Sequence, residues 1–326
     1  MLDTYDEIAL PVFEPTTTNV QLMNWIEDWT GSRALVDLVA EFGDLNFAPL
    51  TLAQRLQALE EFSIRWDYRG GQERNLATQS HFSDDLARGI QSAARALGLI
   101  DEGKAHHAAY DHLIILGGLA RACIVRPRFA KLVVDGLEVG EITAIGAFRP
   151  LGGDEPGIVQ ASGLDEFDDE FSILDAGLRR AFRIDEPGVD EKFESDVPNQ
   201  SWLSREYIHE NGRRYRVIAA PSTDPSRRAN TPDSYKFFAE SMASLQRGAR
   251  VLLVTSSIYQ VFQGSDAIRL LGIPFGVHIE TIGAGPKFAT EPVLQQTFTP
   301  SNYLQEIRST IRSLRVLFDA LQLQEL

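Results

Sequence analysis

The chain has 326 residues, 44% of them hydrophobic and 24% charged, the proportions of a globular protein of one large or two modest domains. With 31 basic against 46 acidic side chains the formal charge is −15, a repulsive field that excludes a nucleic-acid backbone or an anionic membrane as a broad partner. The single cysteine, Cys123, excludes an internal disulfide, and no zinc or iron–sulfur spacing occurs, so no structural metal is expected.

Residues 1–18 open acidic, without the basic-then-apolar order of a signal peptide, and carry Pro11, Pro15 and a run of threonines that predict an extended lead-in. No apolar run approaches the roughly 18 residues of a membrane span, and the chain reads as cytoplasmic. Helical spacing then begins: Leu22, Trp25, Ile26 and Trp29 share a face, followed by Leu35, Leu38, Val39 and Phe42 up to Gly43. Thr51 caps a stretch with Leu52, Leu56, Leu59 and Phe62 in register, and Ser83 precedes Asp84 and Asp85, a cap followed by a dipole-matched first turn. A helical subdomain without strands is expected over residues 1–105.

After it the pattern changes to apolar strands separated by helical stretches, which predicts an α/β domain over residues 106–295 with a mostly parallel sheet. The strands are read as His112–Leu116, Glu141–Ala147, Arg214–Ala220, Arg250–Val254 and Phe275–Thr281. Helices are read near Ala120–Val134, with Arg126-Pro127 as a break or kink, and at Leu164–Ala181, Thr231–Gln246 and Ser265–Leu271. Residues 185–204, acidic and containing Pro187, Gly188 and Pro198, read as a surface excursion. Over residues 296–326, Thr299-Pro300 starts a helix whose Leu304, Ile307, Ile311, Leu314 and Phe318 form one stripe for docking on the core.

In such a sheet, ligands bind beyond the carboxyl ends of the strands. Polar loops stand at four of these ends: Gly117 and Gly118, Gly146, residues 221–231 and Thr255-Ser256-Ser257. Together they predict one cleft. Arg227 and Arg228 beside Asn230-Thr231 are the anion-binding candidates, because a guanidinium fork matches phosphate or carboxylate geometry. Asn230 and Thr231 also suit a helix cap, and Asp233 suits either the first turn of that helix or a general base. Gly152-Gly-Asp154-Glu155 reads as a solvated turn or as a ribose or magnesium ligand. His106, His107 and His112 fall at the amino end of the first strand, away from the cleft, as surface or helix-end residues. Hydrolase-elbow, Walker and dinucleotide fingerprints are absent.

The order Leu116-Gly117-Gly118, Ile142-Thr-Ala-Ile145-Gly146, Asn230-Thr231 and Val251-Leu-Leu-Val-Thr255-Ser256 resembles the YdcF/SanA/ElyC family, the domain of unknown function 218, over about residues 110–285. The resemblance implies a Rossmann-like three-layer α/β fold with a ligand cleft, and S-adenosylmethionine as a candidate cofactor. On this reading Gly117, Gly118, Gly146, Arg228, Asn230, Thr231, Thr255 and Ser256 bind a nucleotide-like or adenosyl-containing small molecule. Asp233 and Tyr259 are the candidate catalytic groups for group transfer or hydrolysis on a polar substrate. The alternative is a non-catalytic sensor using the same cleft. The two differ in whether a titratable group faces the pocket.

Overall fold

The computed structural model describes residues 5–70, 79–165, 167–185, 187–209 and 212–323; Met1–Thr4 of the acidic start lie outside them. Helices α1 (Asn19–Gly31), α2 (Arg33–Ala40), α3 (Leu52–Phe62) and α4 (Asp84–Ala96) lead the chain. Thr18, Ser32, Thr51 and Ser83 each accept a hydrogen bond from the backbone N–H three residues on, which satisfies a donor that a first helical turn otherwise leaves open. Among the described residues of 19–98 no strand occurs.

Seven strands then build one sheet: β1 (Ala109–Leu116), β2 (Glu138–Gly146), β3 (Val189–Phe193), β4 (Trp202–Ile208), β5 (Arg214–Ala219), β6 (Arg250–Ser256) and β7 (His278–Ala284). Their order is β3-β4-β5-β2-β1-β6-β7, parallel from β5 to β7 and antiparallel at β3 and β4. Side chains alternate across the sheet. Ile114 and Leu116 join the cluster that holds α1–α4, while Leu113 and Ile115 join the opposite one. The second face is covered by α5 (Ala120–Val134), α6 (Glu155–Ala161) and α7 (Glu170–Phe182). The first is covered by α8 (Thr231–Phe237), α9 (Gln260–Ala267), α10 (Ile273–Phe275) and α11 (Pro300–Leu323), together with the leading helices. The result is a three-layer, Rossmann-like α/β fold. Buried Leu304, Ile307, Ile311 and Leu314 of α11 lie in the same core as Leu56 and Leu59 of α3, so the docking stripe joins the helical layer to the sheet.

Some elements differ from the sequence reading. Residues 185–204 contain β3 and the start of β4 instead of a surface excursion. Every residue of β3 is exposed, so the period-2 apolar alternation that marks a half-buried strand is absent. Cross-strand charge holds it: the Arg205 guanidinium donates to both Asp190 carboxylate oxygens at 2.6 and 2.8 Å. The helix expected from Leu164 starts only at Glu170, behind its Asp169 cap, and the short helix α6, ending at Ala161, precedes it. Pro127 does not break α5. Proline removes the N–H that would bond the Cys123 carbonyl, and the α7 backbone packs against that carbonyl at Gly177, where a Cβ would collide with it. α8 stops at Phe237 and passes into a π turn at Phe238–Met242.

β2 and β5 lie on one side of β1, and β6 and β7 lie on the other. The connections after β1 and β6 therefore diverge, and a crevice opens beyond their carboxyl ends.

Candidate functional site

A cavity of about 700 Å³ fills this crevice, within the usual range for small-molecule sites. Its floor is Leu116–Leu119 after β1 and Ile145–Ala147 at the end of β2; Arg227–Pro232 and Ser234 form one wall, and Phe262, Gln263, Ser309 and Arg69 close the other side. Arg69 comes from the helical layer. Its backbone N–H and that of Tyr68 donate to the Gln305 side-chain oxygen at 3.1 and 2.8 Å, and its guanidinium pairs with Glu306. The helical layer and α11 thus supply a wall of the cleft.

At the floor stands a buried charge cluster. Arg149 donates to both Glu155 oxygens at 2.7 and 2.8 Å, to Glu170 Oε2 at 3.0 Å and to the Gly118 carbonyl at 3.0 Å. Glu170 Oε1 lies between two glycines: a Cβ on Gly117 would come within 2.5 Å of it, and one on Gly146 within 2.8 Å. The glycines are therefore needed for close approach, and the carboxylate occupies the space that side chains would take. Glu170 lines the cavity while only 5% exposed. Burial pushes its carboxyl above the ordinary carboxylate value, against the lowering influence of Arg149, Arg228 and Arg126.

Of the residues singled out in the sequence, Gly117, Gly118, Gly146, Arg228, Asn230 and Thr231 line this cavity. Thr255 and Ser256 are fully buried one layer behind it. The Thr255 hydroxyl donates to the Gln263 side-chain oxygen, and the Gln263 amide donates to Thr231 Oγ1 at 3.3 Å, so Thr255 reaches the cleft through a lining side chain. Ser256 accepts from Arg126 at 3.1 Å, and Arg126 holds the Leu116 and Gly117 carbonyls at 2.7 and 2.6 Å. Asp233 and Tyr259 do not line the cavity. Asp233 completes the α8 capping box, each partner's backbone N–H donating to the other's side chain at 3.0 Å, and it also binds Arg227 and Thr223. Burial opposes its ionisation, but Arg227, Thr223 and Asn230 outweigh burial and hold its pKa at about 2. That is the environment of a fixed anion, not of a base at neutral pH. Tyr259 packs edge-on against Phe262 and Phe298, with the Arg126 guanidinium 5.6 Å from its ring.

Each adjoining helix has a first-turn N–H held by a side chain of this chain. The Ala120 N–H that starts α5 donates to Glu155 Oε1 at 2.8 Å, and Asn230 and Asp233 close α8. Glu155 is thus the built-in anion at the place where a dinucleotide fold puts its pyrophosphate. Its carboxylate oxygens accept from Arg149 and from the Gly152 and Ala120 N–H groups, and Gly153-Asp154 form the turn before α6. The wall adds the guanidinium groups of Arg227 and Arg228 as cationic contacts for an incoming anion. Sequence reasoning missed Arg149, Glu170, Arg69 and Gln263; only Arg149, three residues beyond β2, sits where strand-end logic would look.

Residues 13–98 match the family model described as the Rv3785 N-terminal domain. Uncharacterized protein Rv3785 of Mycobacterium tuberculosis strain H37Rv and uncharacterized protein Mb3814 of Mycobacterium bovis are each 29% identical over 346 residues, covering 98% of this chain and 95% of the relative. No solved structure matches. These matches overturn the YdcF/SanA/ElyC resemblance, whose Gly-Gly, Asn-Thr and Thr-Ser steps are strand-end and cap features that many parallel sheets share. By full-length similarity and by its leading domain, the chain resembles the Rv3785 proteins.

Proposed function

We propose that the cleft binds a small anionic, nucleotide-like or phosphorylated molecule and that Glu170 acts on it as a general acid or base in group transfer or hydrolysis. The observation that carries this reading is the buried Glu170 carboxylate facing the cavity floor while Arg228 stands in its wall. Arg227, Arg228 and Arg69 all line the cavity and are the anion contacts, Arg227 and Arg69 being also paired with Asp233 and Glu306. A carboxyl whose pKa is raised by burial is poised nearer neutrality than a solvated one, as proton transfer at neutral pH requires. That titratable group favours chemistry over a purely sensing role. A cytoplasmic setting belongs to the same proposal and is supported by the buried, unpaired Cys123, whose thiol burial pushes upward. Among the described residues no helix is long and apolar enough to cross a membrane.

The test is a thermal-shift screen of nucleotides, sugar phosphates, inorganic phosphate and S-adenosylmethionine, followed by turnover assays on each binder. A ligand at 100 times its dissociation constant stabilises by about 2.7 kcal/mol. Glu170→Gln is expected to keep binding and lose turnover, and Arg228→Ala to lose binding. Equal turnover in wild type and Glu170→Gln removes the acid–base role. Failure of every anionic compound to bind removes the site.

A further inference from the structure

A second cluster lies at the amino end of the sheet, opposite the cleft. Glu14, His107 and His278 offer one ligand atom each, and these three atoms lie within 4.8 Å of one another. They come from three separate segments: the extended lead-in, the loop before β1 and the first residue of β7. Their meeting is enforced by backbone pairing. Phe13 and Ile279 exchange both hydrogen bonds at 2.9 Å in an antiparallel bridge, which sets Glu14 beside His278. The His107 N–H is anchored on the Tyr110 hydroxyl at 3.2 Å, and Tyr110 in turn donates to buried Glu280.

His107 Nε2 and His278 Nδ1 are buried atoms with no hydrogen-bond partner among the described residues. A buried imidazole nitrogen without a partner costs free energy, and native proteins satisfy nearly all such groups. The rings face each other edge to plane at 6.2 Å. Glu14 supplies negative charge beside His278, and Arg250 and Asp111 stand nearby with opposite signs.

We propose that Glu14, His107 and His278 form a binding site for a divalent transition-metal ion of the zinc type. Two imidazoles and a carboxylate are a zinc donor set, with bonds of about 2.0–2.2 Å and a fourth position left for water. The ion ties the lead-in to β1 and β7. Its first role is structural, because the cleft lies at the other end of the strands. The composition-based reading looked at cysteine spacing, whereas these three side chains are brought together only by the fold. The site is independent of the function proposed for the cleft.

The experiment uses the full chain with any histidine tag removed, stripped by a chelator. Zn²⁺ is titrated against a chromophoric competitor, Co²⁺ binding is followed by its visible spectrum, and Tm is read with and without metal. One equivalent is expected, with a rise in Tm and a tetrahedral-type cobalt spectrum. His107→Gln and His278→Gln should each weaken binding by more than about tenfold and abolish the Tm rise. Glu14→Gln should weaken binding less, and His112→Gln and His209→Gln should bind as wild type. If His278→Gln fails to fold, His107→Gln, on a loop, decides the matter. Less than one equivalent in wild type, or unchanged affinity in both His107→Gln and Glu14→Gln, overturns the proposal.

Discussion

Replacing Arg149 by methionine keeps an unbranched stem and removes the guanidinium, the one cation hydrogen-bonded to both buried carboxylates. Glu155 and Glu170 are 1% and 5% exposed, and Arg149 itself is 5% exposed. Breaking a buried pair by deleting one partner costs about 3–5 kcal/mol, because the remaining charge is left uncompensated. One guanidinium serves two carboxylates here, which places Arg149→Met toward the upper end. At about 2 °C per kcal/mol for a chain of this size, Tm should fall by roughly 6–10 °C. The loss should depend on pH. The folded pKa of Glu155 is lowered, burial being outweighed by Arg149 and two backbone N–H groups. Its stabilisation is present above its unfolded pKa and is lost as pH falls through the folded value. That of Glu170 is raised, so its contribution is full below its unfolded pKa and is lost as pH rises through the folded one. Without Arg149 both folded values rise, and the deficit against wild type should shrink as pH falls from about 7 toward about 4, where carboxyls protonate. Urea unfolding at several pH values measures this. Adding Glu155→Gln to Arg149→Met should recover part of the loss. A single variant within about 1 kcal/mol of wild type, or a deficit that does not change with pH, would falsify the idea that charge compensation holds the cleft floor together.

Other outcomes follow from the same geometry. Gly117→Ala would bring its Cβ to 3.0 Å from the Ile145 carbonyl and the Gly146 Cα as well as onto Glu170, so it should lower Tm and abolish ligand binding; a stable variant with normal binding contradicts the close-approach argument. Arg228→Ala should weaken binding of an anionic ligand by about 1.5–3 kcal/mol with Tm unchanged, read by calorimetry, and unchanged affinity removes Arg228 from the site. Thr255→Val should cost about 1–3 kcal/mol in stability by stripping the Gln263 oxygen of its buried donor, with any affinity change secondary; loss of affinity at constant stability would mean that the hydroxyl touches the ligand directly. Asp233→Asn should flatten the acid limb of stability. The Asp233 contribution is present above its unfolded pKa and disappears as pH falls toward about 2, so acid titrations of wild type and variant should converge there.

Local sequence determined the parts of this protein whose signals are local. The caps at Thr51 and Ser83, the apolar β1, β2, β5 and β6 and the α11 stripe follow from side-chain type and spacing, because helix and parallel-strand formation depend on neighbours a few residues away. The glycines after β1 and at the end of β2, and Asn230-Thr231, were legible as strand-end features, and the structure sets them around one cavity. Tertiary structure alone decided which charges are buried. Glu170 sits 21 residues from Arg149, and Gln305 lies more than 230 from Arg69, so nothing in their own surroundings distinguishes them from solvated polar residues. Strand β3 was hidden for the converse reason, since it buries nothing and is held by cross-strand pairing. Glu14, His107 and His278 are the extreme case. They meet only because a backbone bridge joins Phe13 of the lead-in to Ile279 of β7, and no spacing along the sequence encodes that meeting.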